Sequence, residues 1–239
     1  MNDDVQLSYL LCSTPRTGSS LLCDALRATG VAGRPEEYFQ FRARTGQPRR
    51  PLEYFEGAED PEIVQILGPR TRNEEDEERY DPSRFRRYED YLAWAVVQAT
   101  TPNGVLGAKV MWGYFNGFVT GLRWAVPGRQ KLPVCELAPS VFPNLHYVFV
   151  TRRDKVRQAV SLWKAIQTWS WSTQQLGAEN RPLVYSESAI DHLIRDILRY
   201  VGVGGATELE IAPPSRRQQS DELSEEWVDR YRGVALQAG

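Results

Sequence analysis

Between Ser13 and Ser20 the chain gathers groups that bind anions. The hydroxyls of Ser13, Thr14, Thr17, Ser19 and Ser20 surround Pro15, Gly18 and the guanidinium of Arg16. Hydroxyls donate single hydrogen bonds, and a guanidinium presents a planar fork of donors with a fixed positive charge. Five mostly apolar residues (8–12) run into this stretch. Leu21, Leu22, Ala25 and Leu26 then repeat at helical spacing as one apolar face, with Gly30 as the stop. A strand, a tight loop and a helix in that order aim backbone N–H groups at an anion. The loop differs from the nucleoside-triphosphate motif G-x-x-x-x-G-K-[ST]. Ser13 stands at the first glycine, Ser19 stands where the motif has Lys, and the basic residue sits inside the turn as Arg16. On the loop alone, a polar strand-to-helix turn that binds nothing stays open beside the phosphate site.

A second set of candidates lies at Arg152-Arg153-Asp154, directly after the apolar run 145–151. Asp154 is a good N-cap, and Val156, Ala159, Val160, Trp163 and Ile166 form the apolar face of the helix that follows. Two helical residues eight apart would be separated by ~12 Å along the axis. With Arg153 in the turn before the helix, its side chain can instead fold back toward the Ser161 hydroxyl, and the two donors would hold a second phosphate. An exposed Arg and an ordinary helical Ser is the equal alternative. Glu36 and Glu37 lie in a connection punctuated by Gly30, Gly33 and Pro35. Adjacent residues point apart, so one of the pair faces a site, or both belong to a solvated turn neutralised by Arg34. Lys109, inside the apolar run 105–112, is either a surface alternation or a charge aimed into a site at the strand end. His146 and His192 are far apart in sequence, and no metal-ligand spacing is visible.

These candidates need elements to hold them. Residues 105–112 and 145–151 read as second and third strands, 88–99 as a helix broken by Thr101-Pro102-Asn103-Gly104, and 115–124 as a further helix. Residues 41–90 are charge-rich around a short apolar patch, 63–67, and the mixed charge run 70–79 reads as a solvated surface segment or as a flap near the substrate. Strands alternating with helices give an α/β fold with a parallel sheet covered by helices on both faces. Ligands then sit at the carboxyl ends of the strands. Both basic turns follow strands, which argues for combining them into one bisphosphate site.

The chain as a whole excludes several classes. Its 239 residues suit one domain, 1–239, with a real core. With 29 basic and 31 acidic side chains, the net charge of −2 gives no support for nucleic-acid binding. No apolar run reaches the ~18 residues of a membrane span, and Met1-Asn2-Asp3-Asp4 is unlike a signal peptide. Cys12, Cys23 and Cys135 are too few for a disulfide framework and suit a reducing cytoplasm.

Pro15-Arg16-Thr17-Gly18-Ser19-Ser20 resembles the 5′-phosphosulfate loop of sulfotransferases that use 3′-phosphoadenosine-5′-phosphosulfate (PAPS), and 153–161 resembles their 3′-phosphate motif. The closer resemblance is to the bacterial trehalose 2-sulfotransferase family. It is carried by residues 26–33, 35–40, Lys109-Val110-Met111-Trp112, 158–163 and 224–232, from end to end of the chain. The resemblance implies a three-layer P-loop-like fold, PAPS as donor with no metal, a sugar or glycoside hydroxyl as acceptor (trehalose at its 2-position first) and a homodimer. It assigns Glu37 as general base and Arg16 to the sulfonate and 5′-phosphate. Pro15, Thr17, Gly18, Ser19 and Ser20 form the cradle, and Arg153 with Ser161 holds the 3′-phosphate. Arg217 and Gln218 go to the nucleotide, and Glu36, Lys109 and Trp112 to the acceptor side. Against the family pattern, which has a further helix and strand of some tens of residues near 197–198, either the protein lacks a sheet strand or the sequence reflects only part of the natural chain. Two rival readings are a small-molecule kinase with an altered phosphate loop and a non-catalytic nucleotide-binding protein.

Overall fold

Strand β1 (Leu7–Ser13) is the centre of a parallel sheet of order β2-β1-β3, with β2 at Val105–Met111 and β3 at Leu145–Val150. A central parallel strand is buried on both faces and so reads as a continuous apolar run; Leu10 and Leu11 are fully buried, as is Ser8. Leu10 pairs with Ala108 and Tyr147, and Ser13 pairs with Met111 and Val150, so all three strands end together. The computed structural model describes residues 4–45, 47–57, 60–68, 82–169, 171, 182–200 and 221–237.

The chain divides into two compact units, Met1–Arg49 with Asn73–Thr151 and Arg50–Arg72 with Arg152–Gly239. No linker composition marks that division in the sequence.

In the first unit the helices are α1 (Ser19–Ala28), then Tyr88–Ala99, Phe115–Ala125 and the short Val134–Leu137. Tyr91, Leu92 and Ala95 from the second of these, and Phe118 and Leu122 from the third, join Leu10, Ala108, Val110, Phe39 and Phe142 in one core. An apolar cleft of about 300 Å³ remains on this side of the sheet, between Cys12, Val110, Phe118 and Tyr147. The sheet is less fully covered than the alternation of strands and helices implies. Along β3, Tyr147 is 56% exposed, Val148 40% and Phe149 62%, and among the described residues its outer edge pairs with no strand.

The segment after α1 is pinned onto β2. Arg34 N–H donates to the Ala99 carbonyl (2.8 Å), Gly33 N–H to Thr101 Oγ1 (3.1 Å), and Lys109 N–H to the Glu36 carbonyl (2.9 Å). Gly33 has φ +75°, and a Cβ there would lie 2.6 Å from the Gly107 backbone nitrogen. Only glycine allows both that dihedral and that approach.

The second unit is helical. The helix α2 (Pro61–Leu67) starts at Asp60, whose side chain accepts from Glu62 N–H (2.9 Å). It was hidden in a stretch that reads as charged surface, although an Asp N-cap followed by Pro at the first helical position is a start signal. Lys155–Thr168 (α3 here onward), Glu187–Tyr200 (α4) and Glu222–Gln237 (α5) bury Val156, Val160, Trp163 and Ile166 against Ile190, Leu193, Trp227 and Val228. Asp154 caps α3 through Arg157 N–H (3.1 Å) and also accepts from the Arg232 guanidinium (3.1 Å). Arg157 in turn pairs with Glu225. Trp163, read in the sequence on the apolar face of α3, is fully buried, and its indole N–H donates to the Val184 carbonyl (2.9 Å).

Gly33→Ala should strain the left-handed backbone and press a methyl group into β2, costing about 2 kcal/mol or more. A fall in melting temperature of about 4–8 °C, read by calorimetry, is the expected result.

Candidate functional site

The loop at the end of β1 turns left-handed twice, at Arg16 (φ +63°) and at Gly18 (φ +88°). A non-glycine residue held at positive φ is uncommon and tends to mark functional loops. α1 begins directly after Gly18, and no side chain caps its first N–H groups. Ser13 Oγ lies 3.2 Å from Ser19 Oγ. Thr17 Oγ1 is buried and has no hydrogen-bond partner among the described residues. A buried hydroxyl without a partner costs free energy, and an anion oxygen at the start of α1 would satisfy it. The left-handed turn, the uncapped start of α1 and the Thr17 hydroxyl together fit a phosphate or phosphosulfate group.

Lys109 connects this loop to a carboxylate. Its side chain is only 4% exposed, and its Nζ lies 2.6 Å from Glu37 Oε1 and 3.1 Å from Ser20 Oγ. The adjacent Glu36 turns the other way, to Arg27 on α1, which also pairs with Asp24. The two carboxylates thus separate: Glu37 joins the anion loop through Lys109, and Glu36 belongs to an ion cluster on α1.

The buried side of α1 differs from the apolar face read in the sequence. Ser19 and Cys23 are buried, whereas Leu21 is 76% exposed. The physical reason is the ion pair beneath the helix, where small side chains leave room for Lys109 and Glu37. The Cys23 thiol registers this setting. Burial pushes its pKa up, the Lys109 charge opposes the rise and Glu37 adds to it.

The remaining candidates lie elsewhere. Trp112, half-exposed after β2, stacks on Phe115 (5.0 Å between centroids, 10° between planes). Arg153 is exposed in the bend before Asp154, and Ser161 is half-buried on α3, both within the second unit. Beside them, burial lowers the pKa of Arg152. Arg217 and Gln218 lie outside the described residues. His192 packs against Phe55 (5.3 Å) in the core of the second unit. Among the described residues no group of three His, Cys, Asp or Glu side chains is placed to hold a metal ion, and no helix is long and apolar enough to cross a membrane. Cys12, Cys23 and Cys135 are free thiols.

Comparison with known proteins points in one direction. The profile of the Stf0 sulphotransferase family matches residues 8–202. A trehalose 2-sulfotransferase of Mycobacterium tuberculosis is 31% identical over 266 aligned positions, covering 97% of this chain and 96% of the relative. A trehalose 2-sulfotransferase of Mycolicibacterium smegmatis is 30% identical over 273 positions, covering 99% and 98%. Both alignments are longer than the 239 residues of this chain, so the relatives carry stretches without a counterpart here.

Gly18→Ala tests the loop backbone without adding a clash, since no atom lies within 4 Å of the new Cβ. The left-handed conformation then costs about 1–2 kcal/mol, seen as a melting temperature about 2–8 °C lower. Gly18→Asn should lose less, because Asn visits that region more readily.

Proposed function

Since the chain belongs to the Stf0 sulphotransferase family, we propose that it transfers the sulfonate of PAPS to a carbohydrate hydroxyl, trehalose at its 2-position being the first acceptor to test. The observation that carries this reading is the hydrogen-bonded set Ser20–Lys109–Glu37, which joins an anion loop, a buried cation and a carboxylate.

The donor supplies an activated sulfonate and a bisphosphate leaving group. Sulfonate transfer resembles phosphoryl transfer, in which placement and charge stabilisation do most of the work. The acceptor oxygen bonds to sulfur as the sulfur–oxygen bond of the donor breaks. The leaving electron pair stays on the departing phosphate, and the hydroxyl proton goes to Glu37. Pro15, Arg16, Thr17, Gly18, Ser19 and Ser20 hold the 5′ end, and the Arg16 guanidinium meets the negative charge there. Arg153 and Ser161 hold the 3′-phosphate, with Arg217 and Gln218 assigned to the nucleotide. Trp112 is assigned to the acceptor side, while Glu36, paired with Arg27, stays in the ion cluster on α1. The reaction needs no metal in this scheme. The reading includes a homodimer in the cytoplasm. It places the stretch that the relatives carry and this chain lacks near 197–198.

Calorimetric titration with adenosine 3′,5′-bisphosphate in the absence of metal should give tight binding, and ATP with magnesium should not. The reverse result would favour a kinase, and binding without sulfonation of any sugar would favour a non-catalytic protein. Arg153→Ala should weaken the bisphosphate by about 10–100-fold, the loss of a charge-assisted hydrogen bond. Glu37→Gln should lower turnover by ~10²-fold or more with bisphosphate affinity retained.

A further inference from the structure

Lys109 makes three bonds that together do more than neutralise a charge. Its backbone N–H donates to the Glu36 carbonyl (2.9 Å), its ammonium binds Glu37 Oε1 (2.6 Å), and the same ammonium reaches Ser20 Oγ (3.1 Å). The residue sits in β2, in register with Leu11 of the central strand. The side chain is 4% exposed. An ammonium taken out of water is retained only where partners compensate it. A cation needed solely to receive a leaving group would not require a short bond to the base, nor a backbone bond to the residue before it.

We infer that Lys109 is the positioning residue of the general base: it fixes Glu37 through Oε1, leaves Oε2 to take the acceptor proton, and ties that carboxylate to the donor loop through Ser20. The inference rests on the proposed sulfonate transfer and assigns a role that the anion loop and the base do not have separately. When Glu37 accepts the proton it becomes neutral, and Lys109 loses its counter-charge as negative charge appears on the departing phosphate. One buried cation therefore balances the site before and after proton transfer, and Ser20 keeps it on the loop side in both states.

The test is a double-mutant cycle on Glu37→Gln and Lys109→Met, read in two ways. In thermal melting, Glu37→Gln strands a buried ammonium and should lower the transition by about 5–10 °C. Adding Lys109→Met should recover part of that loss. A double variant that melts as low as the two single losses combined would show no coupling and overturn the inference. In kinetics with PAPS and trehalose, Lys109→Met should lower kcat by ~10²-fold. The donor KM and the calorimetric affinity for adenosine 3′,5′-bisphosphate should stay within about threefold, and the double variant should be no slower than Glu37→Gln. Losses that multiply, or a fall in bisphosphate affinity with kcat retained, would place Lys109 on the donor alone and overturn the inference. Failure of the proposed transfer itself would appear in the wild-type enzyme, and the melting cycle would still report on the pair.

Discussion

A charge buried in a sheet dictates its surroundings, and in this molecule that charge is the Lys109 ammonium. It needs an anion close by, so the chain after α1 must return to β2 rather than run out over the surface. That return requires close backbone contact, which Gly33 permits, and three hydrogen bonds fasten it. It also requires α1 to lie over the pair with small residues inward, which Ser19 and Cys23 supply. The placement of Glu37, the tilt of apolar residues on α1 toward solvent and the glycine content of the turn all follow from one desolvated cation.

The anion loop depends on a different kind of rigidity. β1 is held on both sides by parallel partners in matched register, so its last residue, Ser13, is fixed where the loop begins. Two left-handed residues then follow within three positions. Such backbone strain persists only where neighbours determine it fully. The loop thus presents donors that are already arranged, and little ordering remains to be done when an anion arrives.

Much of this was legible in the sequence, and the exceptions share a cause. The helix at Tyr88–Ala99 and the strands at 105–111 and 145–150 are set by local periodicity and by breakers such as Thr101-Pro102-Asn103-Gly104, and they match their sequence readings to within about one residue. The anion loop was visible because its chemistry is contiguous. Spacing alone left Glu36 and Glu37 equal, because the decision lies with a lysine 72 positions away, and only the family resemblance singled out Glu37. The orientation of α1 escaped for the same reason: hydrophobic periodicity favours Leu21, whereas a distant ion pair selects the opposite side. α2 was obscured by the charges around it. The division into two units leaves no trace in composition.

The exposed rim of β3 has a colloidal consequence. An apolar strand edge is a template on which another molecule can extend the sheet. Long-range repulsion normally keeps such edges apart, but a net charge of −2 over 239 residues supplies little of it. The chain follows the strand immediately with Arg152 and Arg153, a pair of like charges of the kind that flank aggregation-prone strands as gatekeepers. In sequence, these two charges flank the exposed side chains of Tyr147, Val148 and Phe149, and a change that removed them would take away the strand's nearest like charges.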